Sequence, residues 1–110
     1  MHAEPTSFGL KFLGFYCEMR RNERRLKAAL ENIRVGKLSG AVGAGSHIGP
    51  EMEEKILKHL GLRREWVATQ VLPRDRHLEF VQAMAQIGCS LERMAVEFRH
   101  LQRSEVAELR

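Results

Sequence analysis

No apolar run in this 110-residue sequence approaches the roughly 20 residues a membrane-spanning helix needs, so a transmembrane segment is excluded. Glu4 and Pro5 stand where a secretory leader would place a basic stretch and then an apolar one; no leader is read, and the expected compartment is the cytoplasm. Cysteine is scarce. Cys17 and Cys89 have no C-x-x-C partner and fall inside helical patterns, which excludes a disulfide framework and predicts buried, reduced thiols. His59, His77 and His100 share no metal-ligand spacing with each other or with the cysteines, so no zinc site is expected. There is no GxxxxGK[ST], no strand-led G-x-G-x-x-G, no internal repeat and no low-complexity tract.

Aromatics make up only 6% of the chain, and none interleave with its densest basic run, Arg20, Arg21, Arg24 and Arg25. Glu18 and Glu23 sit within or beside that run, so it reads as a solvated helix face rather than a base-stacking, phosphate-tracking surface. A net charge of +4 leaves anionic small molecules as possible partners, while nucleic acid and membranes are not expected.

With 44% hydrophobic and 29% charged residues, the composition is that of one globular domain, too short for two ordinary ones. Phe8, Phe12, Phe15, Met19, Leu26, Leu30 and Ile33 recur at spacings of four and three, broken only near Asn22, and predict a long helix over about 7–35. Thr6 or Ser7 could cap its start, and Gly36 fits a left-handed position past its end. Five glycines between 36 and 49 predict an irregular connection, since each would cost a helix interior about 1 kcal/mol relative to Ala. Pro50, Glu51, Glu53 and Glu54 open a short helix over about 50–60, with Met52, Ile56 and Leu60 on one face and Gly61 as its stop. Residues 61–75 read as an extended loop leading to a cap at Asp75. Phe80, Met84, Ile87, Leu91, Met94, Phe98 and Leu101 then keep an unbroken 4-3 repeat, predicting a helix over about 76–108 with a narrow seam and small residues (Ala85, Gly88, Ala95) on a neighbouring face. The fold class is all-α: long antiparallel helices with a Gly-rich connection and one short helix between them. Two such rods leave apolar surface uncovered, which implies partner helices.

Four stretches carry a family resemblance: His2-Ala-Glu-Pro-Thr-Ser-Phe-Gly-Leu-Lys11, Gly36-Lys-Leu-Ser-Gly-Ala-Val-Gly43, Thr69-Gln-Val-Leu-Pro-Arg-Asp-Arg-His77 and Ala95-Val-Glu-Phe-Arg-His-Leu-Gln-Arg-Ser-Glu-Val106. In this order they resemble adenylosuccinate lyases of the fumarase and aspartase superfamily, over essentially the whole chain. The resemblance implies an internal segment of the family's central helical bundle, a homotetramer in which each active site draws on three chains. It implies nucleotide substrates, adenylosuccinate and the succinyl-carboxamide ribotide of purine synthesis, from which fumarate is eliminated without metal or organic cofactor.

Carried over position by position, the resemblance assigns substrate binding to Gln70 and, more weakly, Thr69; a neutral amide both donates and accepts hydrogen bonds. It assigns no catalytic residue. The family's general-acid histidine belongs to an R-T-H-G run placed ahead of His2, which is the second histidine of that motif, and its general-base serine to an S-S-A-M-P-x-K-x-N-P loop. Neither run occurs in these 110 residues, so the segment alone is expected to lack turnover. Arg74 and Arg76 match the family as either ligand contacts or bridges between chains, and Ala44-Gly-Ser-His-Ile48 departs from its usual T-Y-A-N-I-like continuation. Two other classes of function fit the residues alone: a non-enzymatic helical oligomerisation module and a basic RNA-binding helix pair.

Overall fold

The apolar spacings fold as helices. The computed structural model describes residues 4–109, in the order α1 (Phe8–Ile33), β1 (Val35–Gly36), α2 (Pro50–His59), β2 (Arg63–Arg64) and α3 (Asp75–Leu101). The described residues are all-α apart from β1 and β2, two residues each, paired in parallel with Val35 opposite Arg63 and Gly36 opposite Arg64. Partners of α1 descend along α3 as α1 ascends, so the long helices run antiparallel. Two compact units result, residues 4–26 with 82–109, and residues 27–81.

The first unit is held by phenylalanines and a polar layer. Phe12 stacks on Phe98 with ring centroids 5.8 Å apart, Phe15 meets Phe98 edge-on at 6.3 Å, and the Arg93 guanidinium lies 4.8 Å from the Phe15 ring centre. At Asn22, where the apolar spacing of α1 breaks, polar side chains are buried. Asn22 (3% exposed) donates from Nδ2 to Ser90 Oγ at 2.8 Å, and Ser90 (5% exposed) donates to Glu18 Oε1 at 2.6 Å. Arg25 donates to Asn22 Oδ1 at 2.9 Å, and Arg93 pairs with Glu18. The Ser90 hydroxyl does most to hold the Glu18 carboxyl below the ordinary glutamate range, with Arg93 and Arg21 adding to it against burial.

Several expectations are corrected. The 4-3 stripe of α3 is turned to α1 only in part: Phe98 packs on Phe12 and Phe15 and Leu101 is buried, but Met84 and Leu91 are each 53% exposed, while Ala83 and Ser90 are buried. Helix α3 ends at Leu101 rather than near 108, because the chain folds back and the Glu108 and Leu109 amides donate to the Leu101 carbonyl at 3.1 and 3.2 Å. Cys17 and Cys89 are free but exposed rather than buried. Asp75 occupies the first helical position rather than the cap, since the Arg74 carbonyl already accepts the Leu78 amide at 3.0 Å; its charge still faces the positive helix end. Gly36 lies in β1, not in a left-handed cap.

In the second unit, Gly61 takes a φ of 71° just past α2, which lets its amide donate to Lys58 O at 3.0 Å and the Leu62 amide to Leu57 O at 2.8 Å. The buried face of α2 is Glu53 and Leu57, whereas Met52 and Leu60, expected inside, are exposed. Ala29 and Leu57 are the buried apolar residues of this unit, and the Leu57 side chain packs against Gly36 of β1.

The polar layer makes a testable stability claim. Ser90→Ala should cost about 1–3 kcal/mol in urea denaturation, because the buried Asn22 amide loses its acceptor. Adding Asn22→Leu to that variant should recover most of the loss by removing the orphaned donor. Failure to recover would mean that the layer does not act as a buried hydrogen-bonded unit.

Candidate substrate-binding loop

Thr69 and Gln70 lie on the loop between β2 and α3, and both side chains are exposed. Each end of that loop is fastened. At its start the Glu65 carboxylate, buried, accepts from its neighbour's Trp66 amide at 3.0 Å and takes a two-pronged contact from Arg76, Nε to Oε2 at 2.8 Å and Nη2 to Oε1 at 3.2 Å. Arg76, in the first turn of α3, also donates from Nη1 to the Asn32 carbonyl at 3.0 Å, near the last turn of α1. Arg76 is thus engaged within its own chain. Arg74 remains exposed, with Nη1 3.5 Å from His77 Nε2; His77 Nδ1 is buried with no hydrogen-bond partner among the described residues.

The middle of the loop rests on the Gly-rich connection. Lys37 Nζ donates to the carbonyls of Gly40, Thr69 and Gln70, the last at 3.1 Å. Gly43 has a φ of 78°, and a Cβ there would overlap the Ala68 carbonyl, so only glycine permits this approach.

Beneath lies a charged anchor. Glu53 is 2% exposed; its carboxylate accepts the Leu38 amide at one oxygen and Arg64 Nε at the other, at 2.6 Å. The Leu38 amide does most to hold the Glu53 carboxyl below the ordinary glutamate range; burial pushes the other way, and Arg64 and Lys37 add to the lowering.

Gln70 and Thr69 are brought together on one presented peptide. Among the described residues no group of three His, Cys, Asp or Glu could hold a metal ion, and no helix is long and apolar enough to cross a membrane. An open groove of about 690 Å³ in the first unit, lined by residues such as Glu18, Arg21, Arg25 and Cys89, includes neither Thr69 nor Gln70. His2 lies outside the described residues. Reading the sequence missed Lys37, Glu53 and Glu65. Lys37 stood inside the quoted Gly36–Gly43 stretch, which was available as a signal; nothing distinguished Glu53 from an ordinary first-turn acid.

A carboxyl whose folded pKa is lowered stabilises the fold fully above its unfolded value and loses that contribution as pH falls through the folded one. The Glu53 contribution should therefore be present at neutral pH and vanish on acidification below the ordinary glutamate range. Glu53→Gln should lower the neutral-pH stability by about 1–3 kcal/mol and flatten the acid limb of urea midpoints plotted against pH. An acid limb of unchanged slope would remove Glu53 as the titrating anchor.

The sequence pattern of the lyase family matches residues 1–110. Proteins named adenylosuccinate lyase align with 99% of this chain: that of Thermotoga maritima is 56% identical over 109 residues, that of Aquifex aeolicus 50%, and that of Staphylococcus saprophyticus 49%. The chain spans about a quarter of the length of each, 25%. Matched by that family over its whole length, and sharing about half its residues with each of these relatives, the chain belongs to the lyase family as the counterpart of one stretch of proteins named adenylosuccinate lyase.

Proposed function

We propose that this chain is a working part of an adenylosuccinate lyase, supplying helical scaffold and a substrate-binding glutamine, Gln70, with Thr69 beside it. The reaction is elimination of fumarate from adenylosuccinate, giving AMP, and from the succinyl-carboxamide ribotide, in cytoplasmic purine biosynthesis. A base takes a proton from the succinyl carbon while an acid protonates the departing nitrogen. Within these 110 residues the reading assigns binding and scaffold, and no proton transfer. The observation that carries it is the Thr69–Gln70 peptide: fastened through its backbone, with both side chains free, in a chain about half identical to proteins of that name.

An exposed amide on a fixed backbone suits a ligand that presents both donors and acceptors, because no local partner consumes its hydrogen-bonding capacity. The scaffold role is supported by apolar side chains without cover, Leu10, Leu13 and Tyr16 on α1 and Val81, Met84 and Leu91 on α3. Helices of sister chains in a homotetramer would bury them. A non-enzymatic oligomerisation module accounts for those faces too, but gives no reason to clasp a polar peptide and leave its amide open.

In the lyase assembly that carries this segment, Gln70→Ala should weaken use of adenylosuccinate by about 1–3 kcal/mol, roughly 5- to 150-fold in kcat/KM and mainly through KM. Fumarate release followed by ultraviolet absorbance measures it. An unchanged KM would remove Gln70 from the binding site. Mixing this segment with chains that supply the family's remaining helices should restore fumarate release, and an inert mixture of well-folded partners would count against the scaffold role.

A further inference from the structure

We infer that Lys37 is a positioning residue for the substrate-binding glutamine: its ammonium draws the Thr69 and Gln70 carbonyls to one point and so sets the direction in which the Gln70 side chain leaves the backbone. This rests on the reading of Gln70 as a substrate contact. Successive carbonyls of an extended chain point to opposite sides, so two neighbours can reach a single cation only if the peptide between them bends. The chain does bend at residues 69–71, and Gln70 sits within the bend.

An ammonium has three N–H donors and no acceptor. Lys37 directs them to three backbone carbonyls, those of Gly40, Thr69 and Gln70. No donor is left over for a substrate phosphate, which separates a positioning role from that of an anion ligand. The lysine is itself held on both sides. Before it, the Gly36 carbonyl accepts the Glu65 amide at 2.9 Å in the β1–β2 ladder; after it, the Leu38 amide is bound to the buried Glu53 carboxylate. Gly43, packed against the Ala68 carbonyl, presses the same Gly-rich loop onto the residue just before Thr69. A long, flexible side chain thus works from a fixed base, and its bonds go to backbone atoms that any residue at 69 or 70 would supply.

The test uses the active lyase assembly and initial rates with adenylosuccinate. Lys37→Met should raise KM by about tenfold or more with a smaller effect on kcat, and should add little once Gln70→Ala is already present. In a chain whose Cys17 and Cys89 are replaced by Ser, Lys37→Cys alkylated with 2-bromoethylamine, which rebuilds an ammonium of nearly the same reach, should recover KM. Alkylation with iodoacetamide should not. The Leu57 amide of α2 should stay protected from hydrogen exchange in Lys37→Met, separating a released loop from an unfolded unit. Equal effects of Lys37→Met with and without Gln70→Ala, or no recovery of KM by the rebuilt ammonium, overturn the positioning role and leave the glutamine reading intact. A Gln70→Ala variant with unchanged KM overturns the glutamine reading first and removes what Lys37 is held to position.

Discussion

A carboxylate taken almost wholly out of water is costly unless every remaining lone pair is used, and the second unit is organised around one that is. Glu53 comes from α2, the Leu38 amide from the start of the Gly-rich connection, and the Arg64 guanidinium from β2. Three segments distant in sequence converge on one side chain. The glycine-bearing connection loses more conformational freedom on ordering than any other part of the chain, so it needs a strong local restraint. Glu53 provides that restraint where β1 gives way to the loop. Removing either β2 or the Leu38 contact would leave a buried charge half-paired, which couples the loop's conformation to the integrity of α2 and the small sheet.

The second buried acid extends the same logic to the loop that presents Gln70. Glu65 and Arg76 stand at its two ends and close it, while the remaining Arg76 nitrogen reaches the Asn32 carbonyl. A loop tied at its ends has far fewer conformations than a free one, and the Lys37 contacts at its centre remove most of those that remain. What is left outward is side-chain chemistry: the Gln70 amide, the Thr69 hydroxyl, and Trp66, which is 87% exposed. Rigid backbone with open side chains is the arrangement that limits the entropy lost when a ligand is taken up.

How much of this could be read from the residues follows from what each signal measures. Apolar spacing reports helices, and Phe8 to Ile33 and Phe80 to Leu101 lie within long helices. It does not report which of two apolar stripes will face a given neighbour, so Met84 and Leu91 were placed inside when Ala83 and Ser90 are. The end of α3 was invisible for a different reason: Gln102 to Glu105 contain neither glycine nor proline, and the stop comes from the returning Glu108 and Leu109 amides, a contact that local propensity does not encode. Two-residue strands fall below any period. Glu53 was read as a helix-dipole acid because sequence carries charge and position but not burial. Gln70 and Thr69 became legible only through a family motif, since a polar loop residue has no physical signature of its own.

The two sides of α3 carry different chemistry. A helix packed against a single antiparallel partner needs one apolar face, and its opposite side is ordinarily polar. Here α3 exposes Val81, Met84 and Leu91, and the small residues Ala85, Gly88 and Ala95 are exposed as well, while the side turned toward α1 accepts a buried polar layer of Asn22 and Ser90. The inner face combines aromatic packing, Phe12 and Phe15 on Phe98, with a polar layer, while apolar residues also stand exposed on the outer stripe. A polar layer of this kind is worth little as net stability but penalises any slip in register, because a shifted pairing would strand Asn22 and Ser90 against apolar side chains. The inner face thus specifies alignment, while the outer stripe leaves apolar side chains uncovered among the described residues.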